Sequence, residues 1–221
     1  MAYFSKDYAH FFVELSKNNH KEWFHENKAR YQREIKEPFE QFIEALIGRI
    51  QEYDPDLQIK PQDTILRINR DIRFAKDKTP YNLHRTAFIS YGGRKDKSIP
   101  GFFVRLAADM VGIMIGCFQP DKVQLEKIRA CLLADPEKFQ RLITNPEFVK
   151  KYGILKGEQM RRLPAELKEK ADAYPFLANK QFYFQTQLTA DYLTREDLLD
   201  QLMQYWQVGW PVNRYFLDCM A

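Results

Sequence analysis

Apolar residues recur at helical spacing at both ends of this chain and at strand spacing in its middle, and that order restricts the fold more than any single motif. Tyr8, Phe11, Phe12 and Leu15 follow Ser5 at helical intervals, predicting a capped helix that ends at Asn18-Asn19. A longer helical stripe runs from about His20 to Gln51 through Trp23, Phe24, Tyr31, Ile35, Phe39, Phe42, Ile43, Leu46, Ile47 and Ile50. Pro38 lies inside it and predicts a kink or a restart, because proline lacks the backbone donor. Tyr53-Asp54-Pro55-Asp56 is a stop.

The middle then changes period. Thr86 to Tyr91, Phe102 to Ala107 and Val111 to Phe118 are short β-branched or aromatic runs bounded by turn residues, with Ala108-Asp109 short enough for a hairpin. Thr64 to Ile68 and Gln181 to Leu188 read as further strands. Helical spacing returns after Pro120 in Val123, Leu125, Ile128 and Leu132, and Asp135-Pro136 and Asn145-Pro146 are helix starts. Lys151 to Pro164 reads as loop. Thr194-Arg-Glu-Asp197 resembles a capping box opening a last helix, which Gly209 and Pro211 are expected to interrupt. The expectation is a single α+β domain over residues 1–221, a central antiparallel sheet of about four to five strands flanked by N-terminal and C-terminal helices.

Composition excludes several classes. With 45% hydrophobic and 29% charged residues the chain is globular and not disordered. No apolar run approaches the ~20 residues that span a bilayer, and the first residues carry no secretory pattern. Cys117, Cys131 and Cys219 are odd in number and far apart, so neither disulfides nor a zinc site are expected. These features together predict a cytoplasmic protein without a membrane, metal or cofactor requirement.

The charge is local. Ten Lys/Arg against four acids between Lys60 and Gly101 give that segment +6 in a chain of net +4, leaving the remainder at −2. Its centre is Ile65 to Arg85. Read as a strand, it places Leu66, Ile68, Arg70, Ile72 and Phe74 on one face, where Arg70 among apolar neighbours needs a carboxylate or a bound anion. Arg67, Arg70, Arg73, Lys76, Lys78 and Tyr81 are candidate ligand contacts, since arginine's planar fork matches phosphate and carboxylate. His84 and Asp71 are candidate acid-base groups. The bland alternative pairs Asp71 and Asp77 with the neighbouring cations in a network that fastens a loop to the sheet. Gly112 and Gly116 leave a smooth strip on one strand face, for which helix packing is preferred over a ligand. His10, His20 and His25 lack a helical metal-pair spacing and are read as surface or capping residues.

The run Arg67-Ile-Asn-Arg-Asp-Ile-Arg-Phe-Ala-Lys-Asp-Lys-Thr-Pro-Tyr81 resembles the signature of the domain of unknown function 2461 family, found in bacteria and fungi. Phe11-Phe12, Leu15, Asn18-Asn19, Glu22-Trp23-Phe24, Asn27 and Tyr31 are similar to that family's N-terminal pattern. Arg129, Gly153, Leu155, Gly157, Leu163-Pro164, Lys180 and Phe182 resemble its later landmarks. Ala75 stands where the pattern has serine, and Asn82 where it has lysine. The resemblance implies a fold and a motif and brings no activity with it. The leading functional expectation is therefore an Arg/Lys-lined site for an anionic small molecule, in a monomer or weak homodimer. Behind it stand an interaction domain with an internally paired motif and, last, a nucleic-acid-binding module that adds Arg94, Lys95 and Lys97.

Overall fold

The computed structural model describes residues 2–221, the side chain of residue 166 excepted. The N-terminal layer comprises α1 (Lys6–Lys17), α2 (Lys21–Glu26), α3 (Lys28–Tyr31), α4 (Glu37–Gln51) and a short α5 (Pro61–Thr64). Strands β1 (His84–Ile89), β2 (Gly101–Ala107) and β3 (Met110–Cys117) follow. Next come α6 (Lys122–Ala134), α7 (Pro136–Ile143), α8 (Pro146–Tyr152) and α9 (Ala165–Ala171). Strand β4 (Phe182–Thr189) and α10 (Leu198–Met220) complete the chain. The strands form one antiparallel sheet in the order β1-β2-β3-β4, flanked by the N- and C-terminal helices. The fold is α+β.

Local chemistry explains most element ends. The Ser5 hydroxyl accepts from the Asp7 amide at 3.1 Å, Asp135 from Lys138 at 2.9 Å and Asn145 from Glu147 at 2.9 Å, each capping an otherwise free amide of the first turn. His20 takes the same role at α2, where its ring nitrogen accepts from Trp23. The long helical stripe is divided at Gln32–Lys36, a π-helical turn, and Pro38 falls in the first turn of α4 directly after it. The wider turn absorbs the missing proline donor, so the chain restarts without a sharp break. Arg30 then ties α3 to α1, reaching Asp7 and Glu14 at 2.8 Å each.

Strand alternation divides the sheet into two unlike faces. Ala87, Ile89, Phe102, Val104, Leu106, Val111, Ile113, Ile115, Phe182 and Phe184 are buried against the helices. Each large apolar side chain so buried contributes about 2 kcal/mol. The C-terminal helix crosses this face. Gly209 lies so close to β3 that an added Cβ would stand 2.9 Å from both Ile115 and the Tyr152 hydroxyl. The Asn213 side chain, itself buried, accepts the Gly116 amide at 2.8 Å.

Four expectations are corrected. Thr64–Ile68 is not a strand: the α5 turn ends at Thr64, and only an isolated bridge between Ile65 and Ala87 and the Leu66 amide bond to Thr86 at 2.9 Å reach β1. Thr194 closes a 3-10 turn instead of opening a capping box; α10 starts after Asp197, whose carboxylate is taken by Arg195 at 2.7 and 2.6 Å. Gly209 and Pro211 do not interrupt α10, because the tight packing on β3 outweighs one lost helical hydrogen bond. Helix packing uses Gly209 and not Gly112, which faces the other side of the sheet.

Gly116 has φ +103°, and a Cβ there would overlap the Phe182 carbonyl oxygen. Gly116→Ala should lower the unfolding free energy by about 2–4 kcal/mol with an unchanged urea m-value. A loss below about 1 kcal/mol would show that the β3–β4 register does not require glycine there.

Candidate functional site

The face of the sheet turned away from the buried apolar row carries a different set of side chains. Register fixes what it displays: Phe88, Phe103, Met114 and Gln185 form one row, and Thr86, Arg105, Gly112 and Gln187 the next. Phe118 and Tyr183 stand edge to face at 5.1 Å at one end. Together with Leu66, Arg67, Asn82, His84 and Lys97, these residues other than Gln187 line a cleft of about 540 Å³. An apolar, aromatic floor with a few convergent polar groups is the usual character of a small-molecule site.

Arg105 occupies the middle of that floor. Its Nε is buried and meets no acceptor among the described residues. Gly112 beside it contributes no side chain, and an added Cβ would stand 3.4 Å from the Arg105 Cβ. His84 sits on the next strand, two residues from Thr86 on the same face. Burial, and then the charges of Arg105 and Arg85, push its imidazole down to about 4, while Asp109 opposes them. His84 is thus neutral at physiological pH, able to donate through one ring nitrogen and accept through the other.

The Arg-rich segment has a different shape from the expected strand. It folds back on itself, with the Arg70 amide bonded to the Pro80 carbonyl at 2.9 Å and the Asn82 amide to the Ile68 carbonyl at 2.8 Å. Arg70 reaches Asp77 at 2.6 Å and also donates to the Thr79 carbonyl and hydroxyl. Arg73 makes a two-pronged bond to Asp71 at 3.0 and 2.7 Å. Lys78 donates to the Ile72 carbonyl at 3.0 Å. Phe74 at the tip is 96% exposed, which the alternating pattern did not anticipate. The Thr79 amide and then Arg70 hold Asp77 down at about 2, and Arg73 holds Asp71 there too.

Tyr81 anchors the far end of this loop. Its ring stacks on Phe24 at 4.0 Å, and its backbone exchanges two hydrogen bonds with Asn19 at 2.9 and 3.1 Å. Of the candidate residues, the structure therefore brings Arg67 and His84 into the cleft, and sets Arg70 and Asp71 beside an adjoining hollow of about 620 Å³ with Arg67, Arg94, Lys95 and Lys97. Arg73 and Lys78 bond within the loop itself, Lys76 is exposed on it, and Tyr81 joins the N-terminal core.

The family profile described as "Conserved hypothetical protein (DUF2461)" matches residues 7–215. The chain belongs to this family. No curated protein matches it. Of the two departures from the DUF2461 pattern, Asn82 lines the cleft and bonds the Ile68 carbonyl at 3.0 Å, whereas Ala75 lies in the outer loop. Sequence reasoning missed Arg105, Phe103, Phe118 and Gln185, and named Lys97 only for the nucleic-acid alternative. One signal was available: in Gly101–Ala107, alternation puts Phe103 and Arg105 opposite Val104 and Leu106. Among the described residues, no group of three or more His, Cys, Asp or Glu is placed to hold a metal ion, and no helix is long and apolar enough to cross a membrane.

The His84 environment has a measurable consequence. Its folded pKa lies below the unfolded value, so its contribution to stability is complete above the ordinary histidine range and is lost as pH falls from about 6.5 to about 4. NMR titration should place the His84 midpoint near 4 and move it upward in Arg105→Gln. A midpoint near 6.5 in the native protein would mean that the imidazole is solvated and the cleft is not closed around it.

Proposed function

We propose that the open-face cleft binds a small anion with an apolar or aromatic body, its phosphate or carboxylate held by Arg105 and its body resting on Phe103, Met114, Phe118 and Tyr183. The observation that carries this reading is the Arg105 Nε, buried without an acceptor in the middle of an apolar floor. A buried guanidinium N–H without an acceptor costs free energy that an anionic partner would recover. Arg67 and Lys97 at the rim add positive potential that draws an anion inward. Neutral His84 supplies a hydrogen-bonding group on the same face, and is the residue best placed to accept a proton if the bound molecule is also transformed. Arg70, Arg73 and Lys78 are assigned to holding the loop that forms one wall.

A second reading has one observation in its favour. The adjoining hollow continues the cleft with Arg94, Lys95 and Lys97, all exposed, so a longer polyanion could run from it across the sheet face. Asp71 and Asp96 interleave with those cations and weaken the strip.

Calorimetric titration with phenyl phosphate, inorganic phosphate and a short single-stranded RNA tests both. The proposal expects phenyl phosphate to bind more tightly than inorganic phosphate, and Arg105→Gln to weaken it by about 10- to 100-fold. Arg73→Ala, outside the cleft, should leave that affinity unchanged. RNA binding that falls steeply with salt while phenyl phosphate does not bind would replace the small-anion reading by the polyanion one.

A further inference from the structure

On the other face of β1, a second arginine has a buried Nε without an acceptor. Alternation places Arg85 with Ala87 and Ile89, pointing into the helical layer and away from the cleft. It is 4% exposed. Its guanidinium lies over the Phe39 ring of α4, 5.4 Å from the centroid. Its Nε is buried and meets no acceptor, and no carboxylate among the described residues comes within ion-pair distance. A cation–π contact offsets only part of the cost of burying such a charge.

The guanidinium borders a groove of about 560 Å³ between α4 and the start of the Arg-rich segment. Arg67 and Arg94 line the groove together with Arg85, and Glu37, Glu40 and Glu44 line it from α4. The three glutamates recur at i, i+3 and i+7 and so share one helix face. Glu40 approaches Lys36 only at 3.8 Å, Glu37 accepts the Gln32 side-chain amide at 3.0 Å, and no ion pair among the described residues involves Glu37 or Glu44. The groove is therefore lined both by arginines, among them the buried Arg85 whose Nε lacks an acceptor, and by carboxylates. A simple anion is repelled by the carboxylates and a simple cation by the arginines. A molecule carrying both charges satisfies each.

We propose that this groove binds a small zwitterion of the α-amino acid class, its carboxylate on Arg85 and its ammonium on the Glu40–Glu44 side. Arginine's fork suits a carboxylate, and glutamate pairs accept an ammonium's several donors. The site shares only Leu66 and Arg67 with the sheet-face cleft and lies on the opposite side of β1, so it stands or falls independently of the small-anion reading.

The test is thermal unfolding of the full chain with each common L-amino acid at about 10 mM, followed by the N-acetyl and C-amide derivatives of any that stabilise it. At least one amino acid should raise Tm by about 3 °C or more, as expected for a ligand at tenfold its Kd. Both blocked derivatives should fail, because each lacks one of the two charges. Arg85→Gln and the double variant Glu40→Gln/Glu44→Gln should each abolish the rise, while Arg105→Gln retains it. If Arg85→Gln does not fold, the glutamate double variant decides, since Glu44 is exposed and Glu40 only half-buried. The inference is overturned if no amino acid raises Tm, if an N-acetyl derivative stabilises as well as its parent, or if the rise survives in the glutamate variant.

Discussion

The contact between α10 and β3 sets the terms for the rest of this molecule. At Gly209 the helix backbone comes so near Ile115 and Tyr152 that any side chain there would displace theirs, and Asn213 reaches through the core to the Gly116 amide. That approach fixes which face of the sheet is covered. It also keeps α10 continuous through Pro211, where local propensity alone would end a helix. The other helices then close around the same apolar face, and one contiguous cluster of buried residues runs from Phe4 to Cys219.

Covering one face leaves the other with its own composition. In an antiparallel sheet of this kind the uncovered face is usually polar and solvated. Here it carries Phe88, Phe103, Met114, Phe118 and Tyr183 around a single central arginine. Apolar side chains grouped in a concavity mark a surface with a purpose beyond solubility. Arg105 and Arg85 are two residues on adjacent strands that face opposite ways, one toward the open cleft and one toward the helices, and each has a buried Nε without an acceptor. The family's signature loop lies between the two concavities, and its Arg67 borders both.

The loop itself shows how a motif can be specific in sequence and still spend most of its charges internally. Arg70 with Asp77 and Thr79, and Arg73 with Asp71, close short rings within a few residues of one another. Such exposed pairs contribute little to global stability. Their effect is geometric: they shape the turn, while Tyr81 stacked on Phe24 and bonded to Asn19 fastens it to the N-terminal helices. The wall that Leu66, Arg67 and Asn82 give the cleft depends on that fastening.

The sequence by itself determined the class of fold and the place of the four strands and most of the helices, though not of α5 or α9. Tyr8, Phe11, Phe12 and Leu15 at helical spacing, the alternation in β2 and β3, and the proline-led caps at Asp135 and Asn145 are local signals, and local hydrogen bonding and side-chain period are enough to read them. Family membership was legible for the same reason, since a motif is contiguous. The tertiary structure alone decided what depends on residues distant in the chain: that 65–82 is a folded-back loop and not a strand, that α10 survives Gly209 and Pro211, and that Arg105 is central while Arg73 is peripheral. An arginine's worth to a site is set by which carboxylates lie within a few ångströms of it. In a sequence Asp71 and Asp77 are merely near, whereas Arg105 and Arg85 give no sign that their partners are missing.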